Sequence, residues 1–381
     1  MAKFVVIQNI PSPYRLHVFN EMCRQLKGRG IDFHVHFMSR GHAERPKSWL
    51  NPQIVFPHTY WNDYGFMTHH FNVGMIWHLL RHRPDYLLVG SPFDTLTSIF
   101  VAVLVKASKI RCTWVEGQTK TPGRMTGFIG KFKRFILSRF PLVAVPGVDA
   151  VKYIQLHQSF TTLKMPSAIF LPNLIDEMRF KPKEQWKADE ISRIRKMFEC
   201  DDSTRVCILP ARLELVKGIV PLIKLLNPEI IDGWKICILG QGTLKHEILQ
   251  TAKERGILNN IKIFDYVKYE EMPKYYAASD LFLLPSIHDP NPLSVVEALH
   301  SGLPVAISDR CGNVEEGVID GDNGFVLHVL DDIKFKEDLQ KVFSLDSKCL
   351  KAMGRKSKLS NAEFWNTQKM IERFVNQVIG D

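Results

Sequence analysis

Two carboxylates eight positions apart, Asp289 and Glu297, flank what reads as the start of a helix. Leu281 to Leu284 is a short apolar strand. Asn291 suits an N-cap and Pro292 the first helical position. That layout leaves the N–H groups of Leu293 and Ser294 without intrahelical partners. Free amides at a helix start, together with the helix dipole, favour a phosphate. Asp289 before the helix and Glu297 in its second turn can both reach a ligand lying along that end. Glu297 stands among Val295, Val296, Ala298 and Leu299, where a lone carboxylate requires a partner.

The elements that must carry these groups alternate along the whole chain. The first half reads as strands at Phe4–Gln8, Phe33–Phe37, Tyr86–Val89, Cys112–Val115, Leu142–Val145 and Ala168–Leu171. The second half reads as strands at Val206–Leu209, Lys235–Leu239, Ile261–Phe264, Leu281–Leu284, Val305–Ser308 and Gly324–Leu327. Short apolar strands bounded by Gly, Pro and helical segments indicate parallel sheets. Two such sets indicate two doubly wound domains, divided near Pro172 to Asp176. The expected domains are 1–173 and 174–364. The final segment, Asn366 to Ile379, carries Met370, Ile371, Phe374, Val375 and Val378 at helical spacing.

The chain has 381 residues, 45% of them hydrophobic and 24% charged, which is the make-up of a soluble globular protein of two domains. Seven scattered cysteines, none in Cys-Xaa-Xaa-Cys spacing, indicate neither a zinc site nor a disulfide framework and fit a reducing cytoplasm. The N-terminus enters a strand with no signal-peptide layout, and the longest apolar run, Ile99 to Val105, is too short to span a bilayer. No His-Glu-Xaa-Xaa-His or comparable ligand spacing occurs, so no metal is expected. His69-His70 reads as a loop pair. Charge is uneven. Residues 1–176 hold 21 Lys and Arg against 9 Asp and Glu, a net of +12. Residues 177–381 hold 29 against 31, a net of −2. The first half is therefore expected to face something anionic. No nucleic-acid-binding motif accompanies that charge.

The stretch from Asp289 to Glu297 resembles the donor-site motif of retaining glycosyltransferases of family 4, which have the GT-B fold. The continuation fits the same pattern: Gly302-Leu303-Pro304-Val305, then Gly312-Asn313-Val314-Glu315 and Gly321-Asp322-Asn323-Gly324. The resemblance implies two Rossmann-like α/β domains facing a central cleft, with the last helix, about 365–381, returning to the first domain. Two departures bear on donor choice. Asp289 replaces the usual Glu, and Pro292, which has no N–H, replaces a glycine.

Further residues take their roles from this resemblance. Arg212 and Lys217, in Pro210-Ala211-Arg212-Leu213 and Lys217-Gly218, match the family's Gly-Arg-Leu…Lys-Gly segment, and two cations there stabilise the charge that a departing nucleoside diphosphate gathers. With Asp289 they form the implied catalytic set. Gly242, Val267, Asn291, Leu293, Ser294 and Glu297 form the implied donor-binding set. Gly240-Gln241-Gly242 lacks the third glycine of a dinucleotide fingerprint, because Lys245 stands there. Pro13, Tyr14 and Arg15, in a loop after the first strand, and Glu116, after Trp114-Val115, are assigned to the acceptor side.

The activity implied is retaining, metal-independent transfer from a UDP- or GDP-sugar to a lipid-linked or envelope glycan, with no resident cofactor. Alternatives are a sugar-nucleotide epimerase of the same fold or an inactive scaffold that binds a partner. A peripheral location on the inner membrane face is expected. Gly123 to Phe140 places Lys131, Lys133, Arg134 and Arg139 among Phe128, Phe132, Phe135 and Ile136, a pattern suited to an anionic lipid interface. Lys131, Lys133 and Arg134 are the expected membrane-facing cations. The competing reading is a helix that covers its own sheet with a solvated basic face.

Overall fold

The computed structural model describes residues 1–41, 53–65, 69–120, 125–359 and 362–380. Arg124 of the basic segment lies outside the described residues. The chain divides into two units. One comprises Met1–Ile175 with Glu363–Asp381, the other Asp176–Ala362.

The first unit has strands β1 (Ala2–Gln8), β2 (Ile31–Phe37), β3 (His58–Tyr60), β4 (Tyr86–Gly90), β5 (Ile110–Trp114), β6 (Leu142–Val145) and β7 (Ser167–Phe170). They form one sheet in the order β3-β2-β1-β4-β5-β6-β7, every pair parallel. β4 is buried at all five positions, as a strand covered on both faces must be. β3 is the strand that the sequence reading missed. It is three residues long, half-buried and at the sheet edge, so it carries no apolar run to signal it.

Helix Pro13–Gly28 opens with Pro at its first position and buries Leu16, Phe19, Met22 and Leu26, the i, i+3, i+4 stripe of a helix on a sheet. It ends at Arg29-Gly30, where Gly30 takes φ +70°. Helix Thr367–Ile379, near the end of the chain, packs in this same unit. Asn366 caps it by accepting from the Lys369 N–H. Met370, Ile371, Phe374, Val375 and Val378 are all at most 2% exposed. At roughly 1.5–3 kcal/mol for each fully buried side chain, this face is a major term in the unit's stability. Arg29 donates to Asn376 Oδ1 (2.6 Å), and Gln25 Nε2 donates to the Gln368 carbonyl (3.0 Å).

The second unit has β8 (Arg205–Pro210), β9 (Trp234–Leu239), β10 (Ile261–Phe264), β11 (Leu281–Leu284), β12 (Val305–Ser308) and β13 (Gly324–Leu327). The order is β10-β9-β8-β11-β12-β13, again all parallel. Chain order reverses between β8 and β11. The loops after these two strands therefore diverge to opposite faces and leave a crevice at the strand C-termini, where open α/β sheets bind ligands. Among the described residues no helix is long and apolar enough to cross a membrane.

Candidate functional site

The switch point of the second unit brings Lys217 and Asp289 together. Lys217 closes the short 3-10 turn Leu215–Lys217 after β8, and Asp289 lies in the loop after β11. Lys217 Nζ donates to Asp289 Oδ2 at 2.5 Å, and the two side chains are only 16% and 13% exposed. The backbone sets this pair. Ile287 N–H donates to the Val216 carbonyl at 2.8 Å, fastening one loop to the other. Gly218 has φ +67°, and a Cβ there would stand 2.1 Å from the Pro285 carbonyl oxygen. Only glycine permits the left-handed turn and the close approach together. Asp289 Oδ1 has no partner among the described residues, so the carboxylate that holds Lys217 keeps acceptor capacity.

The helix beside this pair is Leu293–His300. Its N-cap is Pro292, so the helix starts one residue later than the sequence suggested, and Asn291 makes no cap bond. Asn291 is buried instead, and its Oδ1 has no partner among the described residues. Asn313 Nδ2 donates to the Pro292 carbonyl at 3.0 Å, fastening the residue before the helix without capping its N–H groups. Gly312 fits against this loop because a Cβ there would lie 2.0 Å from the Pro290 carbonyl oxygen. The N–H groups of Leu293 and Ser294 have no partner among the described residues, as expected of a helix start.

Glu297, 4% exposed, receives a hydrogen bond from the Tyr276 hydroxyl at 2.6 Å. Tyr276 stands in helix Met272–Ala277 and carries no sequence signal of its role, because an apolar-flanked Tyr reads as core. Arg212 is 63% exposed and pairs with Glu214 at 2.7 Å, apart from the Lys217–Asp289 contact. Gly242 packs where a Cβ would be 2.3 Å from the Leu213 carbonyl oxygen, and Gly240 does the same against Ala211 at 2.0 Å. These two glycines hold the loop after β9 against the one after β8. Val267 is half-buried beyond β10.

In the first unit, Pro13, Tyr14 and Arg15 form the first turn of a helix rather than the expected loop. Arg15 donates to Glu116 Oε1 at 2.5 Å, and its guanidinium carbon lies 3.5 Å from the Trp114 ring centroid. Burial pushes the Arg15 guanidinium below its ordinary value, and Glu116 opposes that shift. Trp114 thus joins the pair as a stacking platform that the sequence reading did not assign. Nearby, Ser91 takes φ +49°, and burial raises the Asp94 carboxyl above its usual range.

The basic helix, Gly127–Leu137, requires a correction. Arg134 is not membrane-facing. It is 6% exposed, and its guanidinium donates to the Met125 carbonyl at 2.7 Å. Ile136 is wholly buried and Phe132 packs on the core, so the expected apolar side faces the sheet. Lys133 is half-buried, with its ammonium 5.9 Å from the Phe93 ring centroid. The outer face carries Phe128, Ile129, Lys131, Phe135 and Arg139. His70 stands in the loop before helix Val73–Arg81, where it is 2% exposed and paired with Asp63.

The family profile described as Glycosyl transferases group 1 matches residues 190–359. An uncharacterized glycosyltransferase of Methanocaldococcus jannaschii is 25% identical over 38% of this chain and 36% of its own. A trehalose synthase of Pyrococcus horikoshii is 26% identical over 77% of this chain and 68% of its own. The chain thus spans about a third of the first relative's length and about two thirds of the second's. Among solved structures, Anabaena HepE in complex with UDP and glucose superposes with a TM-score of 0.74 at 14% identity, covering 100% of both chains. Two all-parallel sheets and a full-length match to solved structures show that the chain has the GT-B fold, and its second unit, over residues 190–359, matches the group 1 glycosyltransferase profile.

Proposed function

We propose that this chain transfers a sugar, with retention of configuration and without a metal, from a nucleoside-diphosphate donor to a hydroxyl of a lipid-linked or envelope glycan. The observation that carries the reading is the Lys217–Asp289 pair, held at the switch point beside the free amides of Leu293 and Ser294. Lys217 has three donor protons, so it can keep Asp289 and still donate to a phosphate oxygen. Asp289 Oδ1 is left to accept from a sugar hydroxyl. Arg212 is free to turn toward the diphosphate, because an exposed pair such as Arg212–Glu214 is worth less than about 1 kcal/mol. The two cations then meet negative charge as it develops on the leaving group. That leaving phosphate takes the proton of the incoming hydroxyl on the same face of the sugar, which preserves configuration. Glu297, oriented by Tyr276, accepts from the ribose, and Val267 and Gly242 border the nucleotide. Arg15 and Glu116, with Pro13 and Tyr14, serve the acceptor.

HepE was solved with UDP, so UDP-sugars come first in the screen and GDP-sugars second. The test is release of nucleoside diphosphate with and without a lipid-linked acceptor. Acceptor-dependent release that is lost in Lys217→Ala supports the reading. Conversion of donor to its epimer without acceptor would replace it, and no turnover with any nucleotide sugar would leave a binding protein.

The membrane part of the reading rests on charge and on the corrected outer face of helix Gly127–Leu137. Phe128 is 83% exposed there, on the same helix as Lys131, and Arg139 lies just past the helix over the Phe135 ring. Each cation near an anionic surface contributes about 1 kcal/mol. Sedimentation with anionic vesicles is expected to fall with salt and with Lys131→Glu/Arg139→Glu. Equal binding to neutral vesicles, or none to either, refutes this part and leaves transfer to a soluble acceptor.

A further inference from the structure

A cavity of about 670 Å³ lies in the second unit at the N-terminal ends of the strands, opposite the switch point. Arg205, the first residue of β8, lines it, as do Asp280 just before β11 and Pro304 just before β12. The Lys217–Asp289 pair stands beyond the other ends of these strands. The volume is within the range of small-molecule sites.

The lining is cationic in a half of the chain that is not. Lys183, Arg195, Arg205, Lys351, Arg355 and Lys358 line it, against three carboxylates, Glu184, Asp202 and Asp280. Two of the cations are committed to the fold. Arg195 binds Asp280 and the carbonyls of Ala278 and Asp201, and Arg205 binds the carbonyls of Leu345 and Asp232. The other four have no hydrogen-bond or ion-pair partner among the described residues. Lys351, Arg355 and Lys358 share one stripe of helix Ser347–Leu359, spaced by four and three. Like charges at that spacing destabilise a helix unless an anion lies between them. Lys356 of the same helix, off this stripe, does have a partner in Asp322.

Ser301, the residue that follows helix Leu293–His300, stands at the cavity wall and is 2% exposed. Ser203, Thr204 and Ser347 add hydroxyls to the same wall. Cations with Ser and Thr around a concave site match a ligand with one phosphoryl group and several hydroxyls.

We propose that this cavity is a second ligand site, separate from the nucleotide site, that binds a phosphorylated, hydroxyl-bearing small molecule of the sugar phosphate class. Lys351, Arg355 and Lys358 hold the phosphoryl oxygens, and the wall of Ser203, Thr204 and Ser347 meets the body of the ligand. Binding there bears on helix Leu293–His300 from its C-terminal end, since Ser301 directly follows that helix. The site thus touches the element whose N-terminus carries the proposed donor contacts.

The test is calorimetry on the full chain, with glucose 6-phosphate as probe and glucose as its uncharged control. Each titration is run with and without saturating UDP. Binding of the phosphate ester but not of glucose is expected, retained in saturating UDP and weakened at least tenfold in Lys351→Glu/Arg355→Glu. Lys351→Gln/Arg355→Gln serves if charge reversal prevents folding. No binding by wild type, binding abolished by UDP, or affinity unchanged in the folded double variants would overturn the proposal. The readout is binding alone, so it does not depend on the proposed transfer activity.

Discussion

Replacing Lys217 by Met removes one charge from a pair that is closed at 2.5 Å and mostly shielded from water. Two separate losses are expected. The first is structural: Asp289 keeps its negative charge with no partner, at 13% exposure. Breaking a fully buried pair costs about 3–5 kcal/mol. This one retains some solvent, so about 1–3 kcal/mol is expected. The second is catalytic, because a preorganised cation at a developing phosphate charge supplies on the order of 10²–10³ in rate. The variant Lys217→Met/Asp289→Asn separates the two. It removes the orphaned charge, so stability should return toward wild type while turnover stays low. Urea unfolding gives the first quantity and nucleoside diphosphate release the second. If turnover recovers along with stability in the double variant, Lys217 is a structural residue and the donor-site assignment fails. Near-normal turnover by folded Lys217→Met refutes it equally.

Gly218→Ala is expected to lower stability by at least about 1–2 kcal/mol for its left-handed backbone alone, and by more because the methyl meets the Pro285 carbonyl. A urea midpoint equal to wild type would show that the two loops are not locked as described. Tyr276→Phe and Glu297→Gln should each weaken UDP binding, the first by releasing a buried carboxylate whose charged hydrogen bond is worth about 1.5–3 kcal/mol. Unchanged affinity in both, measured by calorimetry, removes Glu297 from the nucleotide site. Burial holds His36 near pKa 3, with His34 and His78 adding to the depression; burial holds His157 near 4, with Lys133 and Arg134 adding. Their folded values lie below the unfolded 6.5, so the unfolded chain takes up more protons in between. Stability is therefore full above that value and falls as the pH drops toward 3–4, by about 2 kcal/mol per histidine near pH 5. His36→Gln/His157→Gln should flatten that slope between neutral pH and about pH 5, and an unaltered slope would contradict it.

Much of the architecture was legible because its signals are local. Twelve of the thirteen strands stood out as apolar runs between Gly, Pro and helical segments, and a parallel sheet covered on both faces needs such runs. The missed strand, His58–Tyr60, sits at an edge and pairs with one neighbour only. The glycines at 218, 240, 242 and 312 appear in the sequence as turn residues. Their close approaches to the carbonyls of Pro285, Ala211, Leu213 and Pro290 come from segments up to scores of residues away.

By itself the sequence determined the class of fold, the two sets of strands and the segments that end at chemically capable residues. Short-range spacing is enough for these, since periodicity and turn chemistry act over a few residues. Only the tertiary structure decided which groups meet. Lys217 and Asp289 are 72 positions apart, and Arg15 and Glu116 are 101 apart. It also decided that Arg134 turns inward to the Met125 carbonyl, because the sheet, not the helix, chooses which face of Gly127–Leu137 is covered. The cationic cavity gathers residues from Lys183 to Lys358, and no window of the sequence holds that cluster. Side chains distant in the chain acquire a common dielectric and a common partner only once packing has brought them to one surface, and that is where their chemistry is set.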